Sequence, residues 1–254
     1  MGGMRLTTDA IRQAYQAHAR VYAGQRAWDV GYHIGCWARA HQAFENRARA
    51  EFDWLYDQLR GQWQAFRRRG GDPWTADQTF DQLAGLDKRY RVLKLSQLDA
   101  RADLEGCWMV IKAMSGIKPT KSPSVVAISK FLHFWNPRLF VIVDDAVMWQ
   151  RVLSRTWLKQ PIAAERARLM GALADPDCPK NEMSCDLLWY LAVLTWAGAL
   201  LRQNPVITPL FAEYVRSVEH DHPIDFPLDE YQSAAVEWLL LGLAEIPPPG
   251  VELS

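Results

Sequence analysis

The sequence predicts an all-α protein: a compact multi-helix fold with a long N-terminal helix and at most a short extended segment near residues 139–143. Three observations carry this expectation. Apolar residues recur at three- and four-residue spacing almost throughout. The 254 residues are 49% hydrophobic and 23% charged, which excludes disordered and collagen-like chains. Twelve tryptophans suit a large aromatic-packed interior. A chain of this length buries about 70–75% of its unfolded surface, so it needs neither a disulfide nor a metal to hold a core. The expected organisation is one helical domain over 1–254, with subdivision into 1–95, a central core at 96–211 and an acidic helical segment at 212–254.

The elements follow in order. Thr7 or Thr8 caps a first helix to about Arg20, with Ile11, Tyr15 and His18 on one side. From about Trp28 to Arg69 there is no proline, and large apolar residues repeat at Trp37, Phe44, Phe52, Leu55, Leu59, Trp63 and Phe66. This segment reads as one long helix, or two broken near Gly35 or Gly61. Arg67, Arg68 and Arg69 suit the negative end of a helix dipole before a Gly70-Gly71 cap. Thr75 and Gln78 have capping-box spacing and open a helix of about ten residues.

The stretch Asp87–Lys94 sets four bases around Tyr90, a mix that suits either a solvated helix face or a nucleic-acid surface. Leu104, Trp108 and Ile111 are in phase on a helix from Leu98 to Met114. Ser122-Pro123 starts the next helix and Asn136-Pro137 stops it. Between these signals the residues are apolar nearly all round, so this helix should be central. Leu139–Val143 is a short extended apolar run, after which Asp144-Asp145 opens a helix from Ala146 to Leu153. Helices at about 163–174, 184–202, 209–219 and 229–245 complete the chain.

Charge is uneven along the sequence. Residues 212–254 hold nine acids and the single base Arg216, whereas residues 1–211 hold 28 bases and 20 acids, a net of +8. Such a gradient accompanies a polyanion partner, with the acidic part packing on or masking the basic face; the other reading is plain solubilisation of opposite ends. Four cysteines with no CxxC pair, and no apolar leader at the N-terminus, point to a reducing cytoplasm. The longest apolar run, Leu187–Leu201, falls short of the roughly 20 residues of a bilayer span, which predicts a buried core helix and no membrane partner.

No GxxxxGK[ST] loop, GxGxxG turn, HExxH, paired CxxC or GxSxG occurs, which removes the usual sequence support for nucleotide hydrolysis, zinc chemistry and esterase-type acyl transfer. Glu219, His220, Asp221 and His222, with Asp225 behind, have ligand chemistry but read as a polar helix end, and no metal or other cofactor is expected. His133 sits in the most apolar helix and must find a hydrogen-bonding partner there or contact a ligand.

The segment from Pro123 to Val147, with its helix, proline-containing loop and Phe140-x-x-Val143-Asp144-x-x-Val147 pattern, resembles the core of the helix-hairpin-helix DNA glycosylase superfamily and related uncharacterised bacterial proteins over about residues 115–152. The resemblance implies an all-helical fold that grips DNA phosphates, flips a base into a pocket and uses the Asp144 carboxylate at C1′. A fixed anion there stabilises oxocarbenium-like charge or positions water. Three parts of the pattern differ. The glycine-rich hairpin is replaced by Ser115–Ser122, Ser124 or Val125 stands where the family's lysine would be, and the arginine that often follows the aspartate by about one turn is displaced, Trp149 standing there with Arg151 the nearest arginine. Lys118, Lys121, Lys130, Arg138, Arg151 and Arg155 are the expected phosphate contacts, with His133 and Trp149 at the pocket. The leading expectation is a DNA-binding, degenerate or monofunctional base-excision enzyme. The alternative is a non-enzymatic scaffold whose long N-terminal helix meets a protein partner, with Asp144 only a helix cap.

Overall fold

The computed structural model describes residues 4–22, 30–66, 71–99, 101–118, 123–173, 182–218, 227–248 and 252–253. The fold is all-α. Among the described residues it runs β1 (Met4–Arg5), α1 (Thr8–Tyr22), α2 (Val30–Glu45), α3 (Arg49–Arg60), α4 (Ala76–Gly85), α5 (Arg89–Val92), α6 (Leu104–Ala113), α7 (Val125–Trp135), a π-helix (Asp145–Val152), α8 (Thr156–Ala172), α9 (Glu182–Gln203), α10 (Ile207–Val218), α11 (Gln232–Ala244) and β2 (Glu252–Leu253). Short 3-10 turns fall at Leu95–Gln97, Ser115–Ile117 and Leu228–Glu230. The two strands form a single antiparallel pairing, Met4 opposite Leu253. No helix among the described residues is long and apolar enough to cross a membrane.

Local chemistry explains several helix boundaries. The Thr7 hydroxyl accepts the Ala10 N–H at 3.1 Å, capping α1. Thr75 and Gln78 form the reciprocal capping box at α4. Ser124 caps α7, taking the Ala127 N–H, two residues past the expected cap at Ser122. Asn136 ends α7 as its Asn-Pro sequence requires.

Three expectations are corrected. The long N-terminal helix is two helices, α2 and α3, and they part at neither Gly35 nor at Gly61, where α3 ends. The turn is at Asn46–Ala48, where Arg47 adopts φ 52°, a left-handed conformation usually left to glycine. With no Gly or Pro there, composition gives no sign of it. The helix expected from Leu98 begins only at Leu104, because Asp103 turns back to accept the Asp99 N–H at 2.9 Å. The helix after Asp144 is a π-helix: Trp149 N–H reaches Asp144 O at 3.1 Å and Leu153 N–H reaches Met148 O at 2.9 Å, both five residues back. The run Leu139–Val143 is buried but forms no strand.

The core is continuous from Met4 to Ala244. At its centre, α7 buries every residue from Ala127 to Trp135. α11 is buried along its whole length and packs on α1. Their backbones approach so closely at Gly242 that a Cβ there would lie 1.8 Å from Ala14 O, so only glycine fits. Tyr15 of α1 donates to Ala235 O of α11 at 3.0 Å, fixing the same contact. Asn204 ties the N-terminal strand to the end of α9, accepting Leu6 N–H at 2.7 Å and donating to Met4 O at 2.8 Å.

Candidate functional site

α7 carries two polar clusters into the core. The first gathers at its C-terminal end. His133 Nε2 accepts the Trp37 indole N–H at 3.0 Å, and its Nδ1 lies 2.8 Å from Phe140 O. Those contacts fix the neutral tautomer with the proton on Nδ1, which also reaches Ser233 Oγ at 3.2 Å. Burial holds the imidazole pKa down at about 4, so it stays neutral. One turn on, Asn136 donates to Tyr90 O at 2.7 Å and Leu93 O at 2.9 Å, and accepts the Arg138 N–H at 3.0 Å. His133 is therefore a lock between α2, α7 and α11, with no face open to a pocket.

The second cluster lies one turn earlier. Ser129 Oγ accepts the Val143 N–H at 3.0 Å, which lashes the irregular run 139–143 to α7 and sets Asp144 at its end. Lys130 reaches out from α7 to that aspartate, Nζ to Oδ2 at 2.9 Å, and also donates to Trp63 O. The lysine side chain is 5% exposed and the aspartate 24%. Behind them stands Glu237 of α11, 1% exposed, between Val236 and Trp238. Neither carboxyl oxygen of Glu237 meets a hydrogen-bonding partner at normal geometry, although the Ile142 N–H lies near enough to favour its charged form. Burial raises the Glu237 pKa well above the carboxylate range; the Lys130 charge opposes this and the Asp144 charge adds to it. The cluster holds one ammonium and two carboxyls in the core, and it is closest to neutral when Glu237 keeps its proton.

The remaining expected phosphate contacts face other work. Lys118 is buried and donates to Phe66 O. Arg138 pairs with Glu230 at 2.9 Å, and Arg151 with Glu245 at 3.2 Å. Arg155 Nε donates to Ala244 O at 2.8 Å. Three acids of the C-terminal segment thus sit on the basic body: Glu230 and Glu245 as above, with Lys94 also on Glu230, and Glu213 on Arg12. Trp149 of the π-helix is half-buried and meets Trp189 edge-on at 6.0 Å. Lys121 and the group Glu219–His222 with Asp225 lie outside the described residues. Among the described residues no three His, Cys, Asp or Glu are placed to hold a metal ion. Cys36 and Cys107 are buried thiols, and burial lifts the Cys107 pKa to about 12, which makes it a poor nucleophile.

Two participants escape sequence reasoning for different reasons. Glu237 is signalled, as a lone acid inside the apolar run Ala234–Ala244, the same kind of anomaly that marks His133. Trp63 contributes a backbone carbonyl, for which side-chain patterns carry no sign. The pairing of Lys130 with Asp144 depends on the fold of the loop between them. Comparisons of the chain with protein-family models, curated proteins and solved structures find no match in any of the three.

Proposed function

We propose that Asp144, held by Lys130 and backed by Glu237, is the reacting carboxylate of an enzyme that excises bases from nucleic acid. The observation that carries this reading is the Lys130–Asp144 pair at 2.9 Å, its lysine buried and its aspartate partly so, with the buried Glu237 carboxyl behind it, whose pKa burial raises well above the carboxylate range. Taking such ions out of water costs several kcal/mol each, and an apolar trio of similar size would pack there at no such cost. Clusters of this kind concentrate at reactive centres. The π-helix that begins beside Asp144 is a second feature often found at functional sites. The resemblance of residues 115–152 to the glycosylase core supplies the reaction class.

In that chemistry the C1′–N bond breaks and the base leaves with the electron pair. The carboxylate of Asp144 stabilises the positive charge that develops on the sugar. A water oxygen then bonds to C1′, its proton passes to Asp144, and the departing base takes a proton from solvent. Lys130, at 2.9 Å, holds Asp144 in orientation for both steps.

A second reading is favoured by one set of contacts: Arg138 and Arg151 are paired with Glu230 and Glu245 of the same chain, as in a scaffold whose charges are used internally. One experiment separates the two. Fluorescence anisotropy of the protein with short duplex DNA, plain and carrying an abasic-site analogue, is followed across a salt series. The excision reading expects binding that favours the abasic duplex and weakens linearly in log affinity with log salt. It further expects Asp144→Asn to retain that binding while base release falls by about a hundredfold or more. Absence of binding at low salt, or base release unchanged in Asp144→Asn, overturns it.

A further inference from the structure

A hollow of about 170 Å³ opens between α8, α9 and β1. The facing residues explain it. Pro161, Ala164 and Arg168 recur at helical spacing along one side of α8, as do Thr195, Ala199 and Gln203 along one side of α9. Packed helices fill such a seam by interdigitating large side chains, and here Ala164 and Ala199 supply only a methyl group each. Ala164 is exposed and Ala199 partly so, which gives the hollow a mouth. The rest of its wall is apolar: Met4, Trp196 and Leu200 border it and are otherwise buried. A cavity of about 150 Å³ with such a lining takes up one benzene-sized molecule.

One polar pair borders the same space. The Glu165 carboxylate accepts from Arg168 Nε at 2.9 Å and from Nη2 at 2.7 Å. Together the two carry no net charge, so an ionic ligand meets attraction from one and repulsion from the other. A neutral ligand meets no such opposition. The Arg168 Nη1 N–H groups make no hydrogen bond among the described residues, and the side chain is 32% exposed, within reach of a ligand. A guanidinium N–H donates well to a neutral carbonyl or hydroxyl oxygen.

We infer that this hollow binds a compact neutral molecule, one ring in size, whose single accepting oxygen takes an Arg168 N–H. The ring displaces water from the apolar wall, which supplies most of the affinity, and the oxygen fixes its orientation. None of the bordering residues belongs to the Lys130–Asp144–Glu237 cluster, so the inference stands or falls independently of the excision reading.

Acetophenone, a one-ring ketone, is the probe. Ethylbenzene has its shape without the accepting oxygen, and benzoate carries a charge in its place. Isothermal titration calorimetry of the full chain should show saturable acetophenone binding with Kd below about 1 mM, tighter than that of benzoate. Ala164→Leu and Ala199→Leu put a good helix former into empty space, so each should fold at least as well as the parent in a thermal melt while acetophenone affinity falls by about tenfold or more. The Glu165→Gln, Arg168→Met double variant removes both charges together. It should weaken acetophenone about tenfold, the size of one hydrogen bond to a charged donor, and leave ethylbenzene within about twofold. The Met4 methyl resonance reports on the site in the unmutated protein and should shift with the same saturation curve. Four outcomes overturn the inference: no saturation by acetophenone at millimolar concentration, a Met4 resonance that does not move as acetophenone binds, benzoate binding as tightly as acetophenone, or acetophenone affinity unchanged in both leucine variants. Equal weakening of acetophenone and ethylbenzene in the double variant removes Arg168 from the site and overturns its assigned ligand class.

Discussion

The two ends of α7 handle the same problem in opposite ways. At the C-terminal end, His133 and Asn136 are buried polar groups whose partners are all in place: Trp37, Phe140 and Ser233 for the histidine, and Tyr90, Leu93 and Arg138 for the asparagine. One turn earlier, Lys130, Asp144 and Glu237 bring formal charge into the same core, and Glu237 meets no hydrogen-bonding partner at normal geometry. A fully satisfied network stabilises and specifies a fold, whereas a partly satisfied one costs free energy. The first cluster is architecture; the second has the unfavourable burial that the proposed reactive centre would account for.

The sharpest way to break this comparison is to remove the lock. His133→Ala strips the partner from the Trp37 N–H and the Phe140 carbonyl and opens a cavity, so a loss of about 3–5 kcal/mol is expected in urea unfolding. A change under about 1 kcal/mol would mean that the network is not structural.

Acid pH probes the same lock without mutation. Burial holds His133 at about 4 and His18 at about 3, both below the ordinary histidine value of 6.5. Each is neutral in the fold and gains a proton on unfolding below pH 6.5, so the stability they lend is complete above that value. It is lost as pH falls towards 4 and then 3. For His133 alone the loss is about 3 kcal/mol between pH 6.5 and 4. His133→Gln should flatten that part of the stability profile, read from denaturant midpoints at half-unit pH steps.

Trp37→Phe keeps the ring stack on Tyr231 but deletes the indole donor to His133. A loss of about 1–2 kcal/mol in chemical denaturation is expected, smaller than that of His133→Ala because only one hydrogen bond goes. Asp144→Asn, at the other end, keeps an amide oxygen that accepts from Lys130 but removes the counter-charge of that buried ammonium, so a loss of up to about 3 kcal/mol in urea unfolding is expected, and on the proposed function base release is lost as well.

Much of this contrast was legible in the sequence. Helical spacing and the punctuation at Thr75 and Asn136 mark elements that the structure contains, and the apolar character of residues 125–135 marks the central helix. His133 is marked as a group needing a partner, though not which one, because Trp37 and Phe140 are brought to it by other elements. The α2–α3 turn was hidden because Arg47 adopts a glycine-like conformation with no glycine. Lys118 and Lys130 look like surface bases by type, yet the fold draws both amino groups onto the backbone carbonyls of Phe66 and Trp63. Long-range burial of a long charged side chain leaves no local pattern to read.

The central claim is that the Lys130–Asp144–Glu237 cluster is kept against stability, and Glu237→Met tests it most directly. Methionine fills a similar volume without a charge. The folded protein holds the Glu237 proton to a higher pH than the unfolded chain does, so retaining that proton costs nothing below about pH 4.5 and progressively more above it, on top of the constant cost of burying the carboxyl. Urea unfolding of both proteins from pH 5 to pH 8 should show the variant more stable, with an advantage that widens by up to about 1.4 kcal/mol per pH unit until the folded pKa is passed. A variant less stable than the parent at every pH would contradict the account and make the cluster part of the architecture.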